Sequence, residues 1–401
     1  MNIIYISSFC TEKRNKEIQS ISKELNFNFQ SRKFHKLLIQ GLHKNNANII
    51  CYSVCSILSR SMNKKILKKN PKNIEHNIQF IAPSVLFIPI VQQIQAIINT
   101  YIFLFRYFSI NKEKTVILCD TLEAFYSLGV ILFCKLHKKK CIAIVTDLPS
   151  DSVGRGKTNF LKKCIVELYS YFFDRAINNY NGYILLSKYM NNVVNKKNKP
   201  NIIIEGLVEI KNDIEKIEKY KKKVILFAGS LEKRFGIQLL LEAFSLTNNP
   251  NYELHIYGKG NAENIINEFT KKDFRIKFYG VVPNETILIE EKKAWLLVNP
   301  RLTVYEYVKY SFPSKNMEYL NSGTCVLTTC LPSMPIEHYD YVFTIDEEEP
   351  EFLKSKLEYI LNTDEQELLE FGKKAKKFVG EKKNNFIQAK KVLDLCEELY
   401  D

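Results

Sequence analysis

One stretch of this 401-residue sequence carries most of the information on its fold and ligand: Lys309-Tyr-Ser-Phe-Pro-Ser-Lys-Asn-Met-Glu-Tyr-Leu-Asn-Ser-Gly-Thr-Cys-Val-Leu-Thr328. A turn opens a short helix, Gly323 ends that helix, and an apolar strand follows. The helix start presents backbone N–H groups and the positive end of the helix dipole. With Lys315 beside them, these groups suit the diphosphate of a nucleotide, and Glu318 suits ribose hydroxyls. The alternative interpretation is an ordinary capped helix between two strands.

Outward from this stretch, apolar runs with strand character alternate with helical segments along the whole chain. This alternation is typical of parallel α/β sheets with helices on both faces. The predicted strands are 3–7, 49–53, 78–82, 116–120, 141–146, 183–187 and 202–205, followed by 224–227, 253–257, 276–279, 294–298, 325–328 and 341–344. The sequence therefore predicts an α/β fold with two tandem doubly wound sheets.

The alternation stops in a polar, Lys- and Glu-rich segment at 206–222 and then restarts. We therefore predict two Rossmann-like domains, 1–205 and 223–382, which face one another across a cleft and are joined by a linker at 206–222. A last helix at 383–401 could cross back to the first domain. In such sheets ligands bind at the carboxyl ends of the strands.

The net charge of +14 is unevenly distributed. Residues 1–205 contain 30 Lys and Arg against 12 Asp and Glu, whereas residues 206–401 contain 28 against 32. This asymmetry indicates that the first half faces an anionic partner. We expect an anionic membrane surface and no nucleic acid, because nucleic-acid motifs and interleaved aromatic and basic residues are absent. A background amino-acid composition rich in Lys and Asn is the alternative explanation of the positive charge. It does not account for the difference in charge between the two halves.

An uncharged segment runs from Ile81 to Phe105. It is long enough to span a bilayer, but Pro83, Pro89 and several amide side chains argue against spanning. We predict a loop and then a helix over 91–107 that is buried in the core. A helix lying in the membrane interface is the second interpretation, and a transmembrane helix is the third.

Cysteine usage and the start of the chain bear on localisation. Ten cysteines form no Cys-x-x-Cys pair, which suits reduced thiols in a cytosol. Met1 leads straight into an apolar strand, so no signal peptide is predicted. We therefore expect a cytoplasmic protein, peripheral at the cytoplasmic face of the membrane.

Five successive strand ends of the second half carry glycine, cationic or hydroxyl groups. Backbone amides and cations at such ends suit phosphate, and main-chain groups suit a base edge. These candidate ligand-binding residues are, in chain order, Gly229, Ser230, Lys233, Arg234, Gly258, Val281, Val282, Arg301, Ser311, Pro313 and Ser314, with Lys315 and Glu318 beyond them. Each strand end is weak evidence alone, whereas five together predict a binding site.

The first half offers one candidate, Asp147, which ends a strand. Asp151, Arg155 and Lys157 follow it in a loop that could reach the cleft and bring Asp147 beside an acceptor hydroxyl. The alternative is that Asp147 caps the next helix.

Other catalytic templates are absent from the sequence. It contains no G-x-S-x-G, G-x-x-x-x-G-K-[ST], G-x-G-x-x-G or H-E-x-x-H motif. It also lacks a D-x-D pair of the kind that holds a divalent metal on a sugar-nucleotide. We therefore expect no metal and no cofactor, and we expect cations and a helix dipole to neutralise a leaving diphosphate.

Residues 224–345 resemble the donor-binding domain of retaining glycosyltransferases of family 4, in the GT-B class. The resemblance is closest to the branch that builds bacterial capsule, exopolysaccharide or lipopolysaccharide. The matching pieces are Phe227-Ala-Gly-Ser-Leu231 with Gly236, Ile256-Tyr-Gly-Lys-Gly260, Phe278-Tyr-Gly280, Asn299-Pro300, and Ser311-Phe-Pro-Ser-Lys315 with Glu318 to Gly323. The first half matches only in strand order.

The resemblance implies metal-independent transfer of a sugar, with retention, from a nucleotide-sugar that is most simply UDP-linked. The acceptor would be a saccharide or a lipid-linked saccharide. Glu318 would hold the ribose, Lys315 with Ser314 and Arg301 the diphosphate, Val281 and Val282 the base, and Asp147 the acceptor.

Three positions depart from the family pattern. Ser230 and Phe235 replace the usual Arg and Lys, and Tyr310 replaces the first of two glutamates. These departures motivate a rival hypothesis, a catalytically inactive nucleotide-sugar-binding partner in a polysaccharide assembly complex. A nucleotide-sugar epimerase is a further rival, but none of the six histidines lies in the constellations above.

Overall fold

The computed structural model describes residues 1–22, 29–55, 62–148, 171, 176–210 and 217–400. The chain divides into two units, Met1–Leu207 with Asn385–Asp401 and Val208–Asn384. The predicted loop residues Asp151, Arg155 and Lys157, and most of the predicted helix at 157–175, lie outside the described residues.

Strands and helices alternate in the first unit. Its strands are β1 (Asn2–Ser7), β2 (Asn48–Ser53), β3 (Ile66–Leu67), β4 (Asn70–Glu75), β5 (Ile78–Ala82), β6 (Val85–Leu86), β7 (Thr115–Asp120), β8 (Cys141–Val145), β9 (Gly182–Leu185) and β10 (Asn201–Ile203). Its helices before Leu207 are α1 (Glu12–Ile21), α2 (Phe29–Lys44), α3 (Val91–Ile110), α4 (Ala124–His137) and α5 (Lys188–Val194).

The second unit repeats the alternation. Its strands are β11 (Lys223–Ser230), β12 (Tyr252–Lys259), β13 (Ile276–Gly280), β14 (Leu296–Asn299), β15 (Cys325–Thr329) and β16 (Phe343–Ile345). Its helices are α6 (Ile237–Ser245), α7 (Glu263–Lys272), α8 (Asn284–Lys293), α9 (Ser314–Ser322), α10 (Pro350–Asn362) and α11 (Glu365–Lys382). The last helix of the chain, α12 (Asn385–Glu398), belongs to the first unit.

Each unit is built on one doubly wound sheet. In the first, the strand order is β10-β9-β8-β7-β1-β2-β5-β4, and neighbours run parallel except β4 and β5. In the second, the order β13-β12-β11-β14-β15-β16 is parallel throughout. The order reverses between β1 and β7 and between β11 and β14, and such switch points are where doubly wound sheets bind ligands. The prediction of two Rossmann-like α/β domains is thus confirmed.

The end of the segment predicted to be a linker forms hydrogen bonds to the second unit. Part of the predicted linker 206–222 packs on the second unit: Lys219 Nζ donates to the Ala294 carbonyl at 2.6 Å and to Thr324 Oγ1 at 2.7 Å. Tyr220 accepts a hydrogen bond from the Trp295 indole at 2.8 Å. These bonds satisfy polar groups that a free linker would leave in water. Residues 211–216 lie outside the described residues.

The helix predicted to be buried in the core, α3, is buried on one side only. Its inner side includes Ala96, Leu104 and Phe108, whereas Ile98 and Phe105 are about half exposed. The sequence could not distinguish the sides, because both are apolar. No helix in the described part of the chain combines the length and hydrophobicity that a membrane crossing requires.

The C-terminal helix is packed closely into the first unit. α12 contributes Ala389, Val392 and Leu395 to the core that underlies the first sheet. At Gly41 of α2 an added Cβ would lie 2.0 Å from the Asn385 carbonyl oxygen. The two helices can approach this closely only because residue 41 has no side chain.

We expect Gly41→Ala to lower the free energy of unfolding by about 1–3 kcal/mol, because the methyl group must displace the backbone of α12. The matched control is Gly380→Ala in α11, where an added Cβ would meet no described atom within 4 Å. There alanine should stabilise the protein by about 0.5–1 kcal/mol. Urea unfolding followed by circular dichroism measures both. Equal stability of Gly41→Ala and the native protein would contradict the packing of α12 against α2.

Candidate active site

The crevice at the second switch point is bordered by close backbone approaches. Gly258 has φ +130°, and a Cβ on it would lie 1.8 Å from the Gly229 carbonyl oxygen. Gly236 has φ +76°, and its Cβ would lie 1.7 Å from the Pro300 carbonyl oxygen. By contrast, a Cβ on Gly229 would meet no described atom within 4 Å. Glycines therefore bring the ends of β11, β12 and β14 together and leave space in front of β11.

Two predicted arginines share one aromatic surface beside this crevice. The Arg234 guanidinium lies 5.0 Å from the ring centre of Phe235 and 4.9 Å from that of Tyr307. The Arg301 guanidinium lies 4.7 Å and 5.7 Å from the same two rings. Aromatic faces stabilise guanidinium groups without neutralising them. The arrangement concentrates positive charge where β11 and β14 end, which suits a phosphate-bearing ligand.

The helix of the 309–328 stretch begins where it was predicted to present free N–H groups. α9 starts after Pro313, no side chain caps it, and it ends at Gly323 with φ +81°. The uncapped N–H groups and the positive end of the helix dipole form an anion-binding feature. Ser314, the first residue of the helix, is exposed.

Asn316 and Tyr319 tie α9 to the strand ends. Asn299 Nδ2 donates to Asn316 Oδ1 at 2.6 Å, and Asn316 Nδ2 donates to Thr328 Oγ1 at 3.1 Å. The Tyr319 hydroxyl accepts from the Ala228 amide at 2.9 Å and donates to the Ala228 carbonyl at 3.1 Å. All five residues are buried. The start of α9 is therefore held against β11, β14 and β15.

Lys315 and Glu318 contact each other, and a third residue that the sequence analysis missed joins them. The Lys315 ammonium forms ion pairs with Glu318 and, at 3.2 Å, with Glu291 of α8. Burial would lower the pKa of Lys315, but the two carboxylates outweigh burial and raise it. Lys315 is therefore held in its charged form. Its positive charge is already paired with the Glu318 carboxylate.

The fully buried Glu291 carboxyl has an altered pKa. Burial raises the pKa of Glu291, and the ammonium of Lys315 only partly offsets this. A carboxyl whose folded pKa lies above its unfolded value favours folding at low pH, and the benefit is lost as the pH rises through the folded pKa. The sequence analysis missed Glu291 because this residue lies 24 residues before Lys315 and on another helix.

The remaining predicted residues lie at the edges of the site. Tyr279, at the end of β13, stacks on Tyr257 with ring centres 4.7 Å apart and remains about half exposed. Val281 beyond it is exposed, and Val282 packs against the core. These residues present an apolar surface of the kind on which a base could stack. Tyr279 was not predicted, although its aromatic side chain at a strand end was a usable signal.

The structure does not bring every predicted residue into contact. Ser230 at the end of β11 and Lys233 after it are exposed. Ser311 is half-buried, and its carbonyl accepts a hydrogen bond from Ser333 at 3.2 Å. Asp147 is exposed two residues after β8, in the first unit. The roles assigned to these residues stay predictions.

We expect Glu291→Gln to change the pH dependence of stability. In the native protein the free energy of unfolding should fall between about pH 5 and pH 8 relative to the variant, because only the native carboxyl must lose its proton while buried. Unfolding by urea at several pH values measures the difference. The control is Glu268→Gln, an exposed carboxyl on α7, which should leave the pH profile unchanged. Parallel profiles for Glu291→Gln and the native protein would contradict the effect.

Comparison with known proteins connects this geometry to a family. Residues 209–378 match the family model of the Glycosyl transferases group 1. This segment lies within the second unit and includes the arginine pair, α8 and α9. No curated protein sequence matches the chain.

Solved structures match over the whole chain. Sucrose-phosphate synthase from Thermosynechococcus elongatus has a TM-score of 0.65 at 14% identity, covering 100% of this chain and 99% of its own. HepE from Anabaena, solved with UDP, has a TM-score of 0.63 at 10% identity, covering 99% and 100%. The lipopolysaccharide outer core galactosyltransferase WaaB has a TM-score of 0.58 at 12% identity, covering 99% of each. Such identities establish the fold alone, so the chain has the GT-B fold and its residues 209–378 match the Glycosyl transferases group 1.

Proposed function

We propose that this protein is a retaining glycosyltransferase that moves a sugar from a UDP-sugar to a saccharide or lipid-linked saccharide acceptor in cell-surface polysaccharide biosynthesis. The observation that carries the proposal is that the arginine pair after β11 and β14 and the uncapped start of α9 both lie in the segment that matches the Glycosyl transferases group 1. UDP as the nucleotide is supported by HepE, which was solved with it.

In the proposed reaction the bond between the sugar anomeric carbon and the diphosphate oxygen breaks. A bond from the acceptor oxygen to the same carbon forms on the same face, and the acceptor proton passes to the leaving diphosphate. The protein's part is to stabilise the charge that develops on the diphosphate and to position the two substrates. Cations and backbone N–H groups can do this without a metal, which is why we propose metal independence.

The arginine pair can supply the positive charge that two departures from the family pattern remove. Ser230 and Phe235 lack the charges that relatives carry at these positions, and Arg301 lies over the Phe235 ring at 4.7 Å. Phe235 thus supports a cation instead of supplying one. We assign the diphosphate to Arg301, Arg234 and the start of α9, with Lys233 and Ser314 at its edge.

Lys315 has a different role in this proposal because the Glu318 carboxylate balances its charge. It orients the Glu318 carboxylate, and Glu318 accepts hydrogen bonds from the ribose hydroxyls. Asp147 orients the acceptor, and we place the protein at the cytoplasmic face of the membrane as a peripheral protein. The rival is an inactive nucleotide-sugar-binding partner, which the departures at Ser230, Phe235 and Tyr310 favour.

We expect the purified protein to release UDP from one UDP-sugar in the presence of a native membrane lipid extract and EDTA. Glu318→Ala and Lys315→Ala should each lower the rate at least about tenfold, because a lost hydrogen bond to a charged group is worth about 1.5–3 kcal/mol. Coupled UDP detection measures release. Binding of UDP-sugars without release from any extract would favour the inactive partner, and activity that EDTA abolishes would contradict metal independence.

We expect Arg301→Ala to weaken UDP binding about tenfold to a hundredfold, because one charge-assisted contact to phosphate is lost. Isothermal titration calorimetry measures the dissociation constant. The control is Lys271→Ala on α7, which removes the same charge from an exposed position of the same unit. An unchanged dissociation constant for Arg301→Ala would contradict the assignment of the diphosphate to the arginine pair.

A further inference from the structure

The first unit exposes an apolar stripe along α3. Ile94, Ile98, Ile102 and Phe105 are between 40% and 52% exposed, and their spacing of three or four residues puts them on one side of the helix. The stripe continues on α4, which packs against α3 and exposes Leu132 by 47% and Leu136 by 64%. Single exposed apolar residues are common, whereas a contiguous patch on two helices marks an interaction surface.

Three polar residues of α3 form hydrogen bonds inside the unit. Gln95 accepts a hydrogen bond from the Leu86 amide at 2.8 Å, and Asn99 donates to the Ser84 carbonyl at 3.2 Å. Thr100 is fully buried and donates to the Ala96 carbonyl at 2.8 Å. The helix therefore turns amides and a hydroxyl toward the protein and isoleucines toward solvent. A helix that faces only water has the opposite arrangement.

A cluster of lysines lies at the end of this surface where both helices finish. One shallow depression is lined by the residues that follow α3 and α4, among them Lys112, Lys114, Lys138, Lys139 and Lys140. Lysines near helix C-termini can offset the helix dipole, but each helix end carries only about half an elementary charge. Glu113 is the acidic residue among the described groups that line the depression. The cluster therefore keeps a surplus of positive charge.

We propose that the stripe on α3 and α4, together with the lysine cluster, is a membrane-docking surface, and that its partner is an anionic lipid bilayer. The isoleucines, Phe105 and the leucines would enter the boundary between headgroups and acyl chains, and the lysines would meet anionic headgroups. A second copy of the chain suits the surface less well, because it would bring another lysine cluster and no opposite charge. The inference deepens the peripheral membrane placement of the proposed function by naming the surface that makes contact, and it does not depend on sugar transfer.

The apolar stripe and the lysine cluster should make two separable contributions to membrane binding. The apolar stripe supplies insertion, which depends little on salt, whereas the lysine cluster supplies attraction to negative lipids, which salt screens. Vesicles of phosphatidylcholine alone should bind the protein weakly. Vesicles that also contain phosphatidylglycerol should bind it strongly at low salt and less at high salt.

Flotation of the full-length protein with these two vesicle types tests the proposal. The double variant Ile98→Glu/Ile102→Glu should lower partition into phosphatidylglycerol vesicles at least about tenfold, because two charges would enter the apolar boundary. Ile74→Glu is the matched control, since Ile74 is 62% exposed on β4 of the same unit, and it should float like the native protein. Lys138→Gln/Lys139→Gln/Lys140→Gln should abolish most of the preference for phosphatidylglycerol.

Light scattering after size-exclusion chromatography and UDP calorimetry on the same preparations complete the test. Equal flotation of Ile98→Glu/Ile102→Glu and the native protein would overturn the proposal. So would a native protein that does not float but forms a dimer that the same variant dissociates, since the surface would then join two copies. Loss of flotation with unchanged UDP binding would support the docking surface, whatever the outcome for sugar transfer.

Discussion

The buried amide contact between Asn299 and Asn316 is the interaction on which the candidate site depends. β14 and α9 are separated by an irregular segment, so their backbones alone do not determine where the helix begins. The 2.6 Å hydrogen bond between the two side chains does so, and Thr328 extends it to β15. Buried amides without such partners would cost several kcal/mol. The network therefore keeps the N–H groups of α9 in position before any ligand arrives.

Positive charge in the second unit is organised in two ways. Lys315 is paired with the Glu318 carboxylate, so it stabilises the folded site more than it attracts an anion. Arg234 and Arg301 both lie against the rings of Phe235 and Tyr307. This difference explains why we assign the ligand to the arginines and the orientation of Glu318 to the lysine.

Sequence analysis predicted the parts of the fold that depend on local pattern. Alternating apolar runs identified both sheets, and the turn, uncapped helix start and Gly323 of the 309–328 stretch were recognisable from residue types. Glu291 was not recognisable, because its contact with Lys315 depends on how α8 packs against α9. The burial of α3 was also misjudged. Its pattern shows apolar residues on both sides, and only the tertiary partners of Gln95 and Asn99 determine which side faces inward.

The position of Phe235 shows why a departure from a family pattern need not mean loss of function. Taken alone, Phe235 removes a cation from the predicted phosphate site. In the structure Arg234 and Arg301 both contact the Phe235 ring, and Tyr307 supplies a second ring. An aromatic residue can thus raise the local positive charge by gathering arginines from β11 and β14. The ring at position 235 thus holds two arginines at the ends of β11 and β14, and this supports the proposal that the site binds phosphate.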